Sequence, residues 1–184
     1  SLIVGELKKK DCYVEAIDFE EPKGKQVLDR FTKMDINHSE TDIPVSDFDN
    51  ILLLDVLEHV ENPEKFTLKL RINAKGKTPI FLVSVPNIAF FVARIQLLLG
   101  NFNYGIRGTL DLGHRRLFTF DSIQQLFLQA GYQIITVKGV PAPFPLAIGD
   151  NWLSRSLLTV NQVLIKLFPR LFAYQIFLKA SPLP

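Results

Sequence analysis

Cysteine is almost absent from this chain. Cys12 is the only one in 184 residues, which excludes an internal disulfide framework and fits a reducing compartment. We expect it to serve as a small buried hydrophobe. An excess of charge of either sign is lacking too: 21 Lys and Arg stand against 19 Asp and Glu, for a formal net charge of +2. No long basic stripe accompanies it, so no dedicated nucleic-acid surface is expected. Also missing is the unbroken apolar run of ~20 residues that a membrane-spanning helix needs. Leu153 to Leu178 comes nearest, but Arg155, Asn161, Gln162, Lys166, Pro169 and Arg170 interrupt it. That stretch suits a peripheral membrane contact at most. Ser1 to Lys10 runs from apolar to basic, the reverse of a secretory leader, and the expected location is cytoplasmic. Apolar residues are plentiful, at 47% with 15 Phe, which argues against disorder. The length suits one domain with a sizeable core, here residues 1–184.

The pattern of what is present alternates strands with helices. Leu2, Ile3, Val4 and Leu7 have helical spacing and run into Lys8-Lys9-Lys10, favourable at a helix C-terminus. Tyr13 to Ile17 reads as a strand ending at Asp18, Lys25 to Phe31 as a short helix, and Lys33-Met34 as a brief strand leading to Asp35. His38 to Phe48 is polar and reads as a surface loop. Ile51-Leu52-Leu53-Leu54 is apolar without alternation and stops at Asp55, which suits a strand buried on both faces of a parallel sheet. Asn62-Pro63-Glu64 supplies a cap, a first-turn proline and an acid for a helix running to about Ala74. Pro79 to Val85 is the next buried strand, and Ile88 to Leu99 a helix stopped by Gly100. After a loop over Asn101 to Arg116 come a helix from about Asp121 to Ala130, closed by Gly131, and a strand over Tyr132 to Lys138. One or two helices fill Trp152 to Phe168, and Phe172 to Lys179 closes the chain as a strand. Such alternation predicts an α/β fold with a mostly parallel sheet, whose ligands bind beyond the carboxyl ends of the strands.

Several short motifs then occur in a telling order: Asp18 and Asp35 after successive strands, Asp55-Val56-Leu57-Glu58-His59-Val60, Asn62-Pro63, Ser84-Val85-Pro86-Asn87, His114-Arg115-Arg116-Leu117-Phe118-Thr119 and Ala130-Gly131-Tyr132. Together they resemble a class I S-adenosylmethionine-dependent methyltransferase, of the broad type that includes ubiquinone-biosynthesis O-methyltransferases. The resemblance implies a Rossmann-like three-layer sandwich whose C-terminal strand is antiparallel. It also implies an acceptor-side insertion over residues 86–118 and a C-terminal extension over 141–184. Pro143-Phe144-Pro145-Leu146 and Leu171-Phe172-Ala173-Tyr174-Gln175 further resemble methyltransferase domains of bacterial surface-glycan pathways, which implies a glycan or small-molecule acceptor and a glycosyltransferase partner. Phe90, Phe91, Ile95 and Leu98 suit an apolar acceptor pocket or a homodimer contact, with core packing the favoured use. The family places a glycine-rich turn after its first strand, where backbone approaches the cofactor. Ser1 to Leu7 resembles the helix just after that turn, so we expect the first strand and its glycines to lie outside the sequence given. The chain as written is then expected to bind cofactor poorly.

By the same resemblance, Asp18 with Phe19 accepts hydrogen bonds from the cofactor ribose, since a carboxylate offers two acceptors to a vicinal diol. Asp35 with Ile36 meets the adenine, and Asp55 with Val56 lies beside the methionine part. At each Asp, simple turn formation is the competing use. His114 and His59 are the candidate bases, because imidazole titrates near neutral pH. Tyr104, Arg107 and Arg115, with Asn87, are candidate acceptor contacts suited to an anionic group. Asp55, Glu58 and His59 also have a spacing that could hold a cation, but three ligands within five residues of a turn is a weak signal, and we assign no metal. Two other readings remain: a non-catalytic scaffold of the same fold, and an NAD-dependent oxidoreductase, which lacks its usual Tyr-Lys or Cys-His pair here.

Overall fold

The computed structural model describes residues 2–21, 28–38, 42–105 and 108–183. The chain divides into two compact units, Ser1–Asp42 and Ile43–Pro184. In the first, helix α1 (Leu2–Lys8) precedes two short parallel strands, β1 (Glu15–Asp18) and β2 (Arg30–Lys33). Lys8 ties this unit together: its Nζ donates to both carboxylate oxygens of Asp29 at 2.8–2.9 Å, and Asp29 in turn accepts from the Val14 N–H at 2.7 Å.

The helix expected over Lys25 to Phe31 gives way to a strand at its C-terminal end. Lys25 to Val27 lie outside the described residues, but Arg30 and Phe31 open β2, with Phe31 opposite Ala16. Four residues show no helical or strand period, so pairing with β1 decides their conformation.

The second unit carries a four-stranded sheet in the order β3-β4-β6-β5. Its strands are β3 (Asn50–Leu54), β4 (Ile80–Pro86), β5 (Tyr132–Val140) and β6 (Gln175–Pro182). β3 and β4 are parallel; β6 runs antiparallel to both β4 and β5. Helix α2 (Pro63–Asn73) links β3 to β4, with Asn62 Oδ1 accepting from the Lys65 N–H at 2.8 Å. That satisfies one of the orphan donors of its first turn. Helices α3 (Phe91–Leu98) and α4 (Phe120–Gln129) lie between β4 and β5 in sequence, the latter held by a capping box of Thr119 and Ser122. Helices α5 (Phe144–Ile148), α6 (Trp152–Leu167) and α7 (Pro169–Phe172) lead into β6. Among the described residues no helix is long and apolar enough to cross a membrane.

The core forms where β4 and β6 face their neighbours. Phe81, Val83 and Val85 from β4 and Ile176, Leu178 and Ala180 from β6 are fully buried. Phe81 and Phe127 each meet the Tyr132 ring edge-on with centroids 5.0 Å apart, the arrangement that aligns ring edges with ring faces. The Tyr132 hydroxyl donates to the Thr67 carbonyl at 3.1 Å, so its polar tip is not stranded. β3 is an edge of its sheet, and Leu52 is 36% exposed where burial on both faces was expected.

Candidate functional site

Because β3 and β4 are parallel, their carboxyl ends open on the same side, and the polar motif residues of this unit gather there. β3 stops where Asp55 adopts a left-handed backbone, φ 54°, a conformation Asp tolerates better than a branched residue. The Asp55 N–H donates to the Ser84 carbonyl and hydroxyl at 3.0 and 3.2 Å. The Ser84 hydroxyl donates back to Asp55 Oδ1 at 3.0 Å. Gln175, at the start of β6, donates Nε2 to both oxygens of that carboxylate, at 2.9 and 3.1 Å. The carboxylate is therefore fixed in direction while remaining exposed.

A single 3-10 turn, Leu57–His59, follows. It turns Glu58 inward, where it is 1% exposed, and leaves His59 outward. The Glu58 carbonyl accepts from the Arg115 and Arg116 N–H groups at 2.7 and 3.1 Å, which fastens the loop of residues 108–116 to the turn. His59 Nδ1 lies 2.9 Å from the Gly113 carbonyl oxygen, and His114 Nδ1 lies 3.1 Å from that of Thr109. A carbonyl only accepts, so each Nδ1 is assigned the proton and each Nε2 the lone pair. The two rings stand edge-on with centroids 5.0 Å apart. A Cβ at position 113 would sit 3.2 Å from Asp111 Oδ1 and 3.3 Å from two atoms of the His59 ring, so any side chain there would press on both. Asp55, Glu58, His59, Asp111, His114 and Gln175 are among the residues lining a cavity of about 230 Å³.

Glu58 is the electrostatic anomaly of this cavity. Neither of its carboxyl oxygens has a hydrogen-bond partner among the described residues. Burial, reinforced by the negative charge of Asp55, pushes its pKa from 4.5 up to about 8. A folded pKa above the unfolded one means that the folded state holds the proton more tightly. The associated stability is complete below the unfolded pKa and is lost as pH rises through the folded one. In a chelating buffer, urea unfolding is therefore expected to show stability falling by a few kcal/mol between about pH 5 and pH 8, then levelling off. Glu58→Gln should flatten that slope, and an unchanged slope would refute the assignment. Tyr174, at the same cavity, is also shifted upward, first by burial and then by Asp55.

The structure sorts the other residues singled out in the sequence. Asp18 and Asp35 are exposed at or just after their strand ends, and each makes the turn contact expected of its residue type: Asp18 accepts from the Glu20 N–H at 3.0 Å and Asp35 from the Asn37 N–H at 2.9 Å. Phe19 is exposed, while Ile36 and Val56 are half-buried. Asn87 has no exposed surface. Its Nδ2 donates to the carbonyls of Arg170 and Ala173 at 3.1 and 2.8 Å, and its Oδ1 accepts from the Ala89 N–H at 3.1 Å. It braces the loop after β4. Tyr104 is exposed and stacks edge-on with Phe102. Arg115 pairs with Glu61 at 2.6 Å and Arg116 with Glu64 at 2.7 Å, both on the surface. Arg107 lies outside the described residues. Gln175, Gly113 and Asp111 were not anticipated as site residues. Their roles depend on contacts that no local spacing announces.

Neither a sequence-family profile nor a curated protein sequence matches the chain. Solved structures do. An S-adenosylmethionine-dependent methyltransferase from Archaeoglobus fulgidus superposes with a TM-score of 0.61 at 15% identity, over 97% of this chain and 80% of that one. Another, from Mesorhizobium loti, gives 0.54 at 13% identity, over 92% and 80% of the two chains. The fold is that of the class I methyltransferases. The C-terminal strand β6 is antiparallel, as the resemblance implied, and the structure sets it between β4 and β5.

Proposed function

We propose that this chain moves a methyl group from S-adenosyl-L-methionine to a hydroxyl or amine of a small molecule or surface-glycan precursor by in-line displacement, in the manner of ubiquinone-biosynthesis O-methyltransferases. One observation carries the reading: on a methyltransferase fold, the cavity at the carboxyl ends of β3 and β4 presents two imidazoles whose Nε2 atoms are assigned lone pairs. When bound, the cofactor supplies an electrophilic methyl group on a sulfonium. The displacement needs alignment and exclusion of water more than covalent help.

The residues present fit that cofactor's chemistry. The Asp55 carboxylate, held in direction by Gln175 and Ser84, suits the positively charged methionine end, with Val56 beside it. In its own unit, Asp18 with Phe19 suits a ribose diol, and Asp35 with Ile36 suits the adenine amino group. His114 or His59 accepts the acceptor's proton at Nε2. Tyr104, Arg107 and Arg115 are the acceptor contacts we assign, Arg115 exchanging its partner Glu61 for an anionic group. Leu146, Trp152, Val163 and Leu167 expose apolar surface along α5 and α6, which supports a peripheral contact there with a glycosyltransferase, a second copy or a membrane surface.

Calorimetric titration with S-adenosylhomocysteine tests the reading. Weak but saturable binding is expected, lowered at least a further tenfold by Asp18→Ala, about 1.4 kcal/mol for the lost charge-assisted hydrogen bonds. The absence of saturable binding would overturn methyl transfer in favour of a non-catalytic scaffold.

A further inference from the structure

The cavity holds a constellation that methyl transfer as such does not require. One oxygen of Glu58 and one ring nitrogen each of His59 and His114 lie within 4.8 Å of one another. Three independent features converge on that point. First, the Glu58 carboxyl is 1% exposed, lines the cavity and has no hydrogen-bond partner among the described residues. A buried carboxyl without a partner is costly, and a bound cation is one of the few groups that could satisfy both of its oxygens. Second, both histidines spend Nδ1–H on backbone carbonyls, Gly113 for one and Thr109 for the other. Such outer bonds fix the tautomer and ring direction of metal-ligating histidines and leave Nε2 as the ligand atom. Third, the three groups come from a rigid turn and from a loop fastened to it by two backbone hydrogen bonds to the Glu58 carbonyl. The set is therefore assembled before any ligand arrives.

We propose that Glu58, His59 and His114 form a binding site for a divalent first-row transition cation, with at least one coordination position open to the cavity. Ligands about 2.0–2.2 Å from a shared ion stand at most about 4.4 Å apart. The observed spread therefore closes with small rotations, which the partly exposed imidazoles can make. Two imidazoles and one carboxylate favour zinc, manganese, iron or cobalt over magnesium or calcium, which take mainly oxygen ligands. The sequence spacing alone suggested Asp55 as a third ligand. The structure instead engages Asp55 with Ser84 and Gln175 and brings in His114 from far along the chain. An ion would occupy the same Nε2 lone pairs that proton transfer uses, so the two roles of these histidines exclude one another at any moment, while ion binding and cofactor binding are tested by separate titrations.

Cobalt(II) is the probe, because its visible absorption reports nitrogen and oxygen ligation directly. The full chain, stripped with chelator, is expected to take up one equivalent with a visible band. Zinc should displace it at micromolar concentration, and millimolar magnesium should not. Glu58→Gln and His114→Gln should each weaken cobalt binding at least tenfold, while His38→Gln, which changes the remaining histidine, should leave it intact. Circular dichroism of each variant separates loss of ligation from loss of fold. If both variants lose their fold, the parent titration still decides the matter. No visible band and no saturable uptake below millimolar cobalt would overturn the site, as would folded Glu58→Gln and His114→Gln proteins that bind as tightly as the parent.

Discussion

Asn87→Ala is expected to cost the second unit about 3 kcal/mol, because a buried amide serving three backbone groups is removed at once. The carbonyls of Arg170 and Ala173 and the N–H of Ala89 would each lose a partner, that of Ala173 in a fully buried place and the other two in partly buried ones. The affected loop starts at the carboxyl end of β4, so the consequence for the cavity is indirect. Two measurements distinguish this from a role in holding the acceptor. Bracing predicts a lower urea midpoint even in ligand-free protein. A substrate contact predicts an unchanged midpoint with a raised KM.

A larger loss, about 4 kcal/mol, is expected for Phe127→Ala. Phe127 is fully buried on α4 and packs edge-on against Tyr132, which packs in turn against Phe81. Removing the ring deletes apolar burial and leaves a void that the Tyr132 ring, itself held against Phe81, cannot fill. Denaturant unfolding followed by Trp152 fluorescence should show the lower midpoint. A cost below about 1 kcal/mol would mean that α4 can settle onto the sheet after all. Phe127→Leu should recover a substantial part of the loss, since most of the buried volume returns.

How far the sequence anticipated the structure varies with the range of the interaction concerned. Asn62-Pro63-Glu64 announced the start of α2, and the apolar runs announced β3 and β4, because caps and burial patterns are written in adjacent residues. Arg30 to Lys33 was misread because a four-residue strand is defined by its neighbour. At the site, His59 and His114 stood out by residue type alone. Nothing near Gln175 indicated that it would pin a carboxylate 120 residues away, and nothing near Gly113 indicated that an imidazole would occupy its missing side chain's space. Those roles are created by folding, when strands distant in sequence become adjacent.

The position of β6 also constrains the order in which this unit can be made. β4 and β5 are joined only through β6, although β6 is synthesised after both. Until it docks, two hydrophobic strands present unpaired edges to one another and to other chains, and Asp55 lacks the amide that aims it. Non-local pairing of this kind slows folding and prolongs exposure to aggregation. On the ribosome the sheet must therefore wait for its middle, and the cavity cannot take shape until the same late strand has been threaded into place.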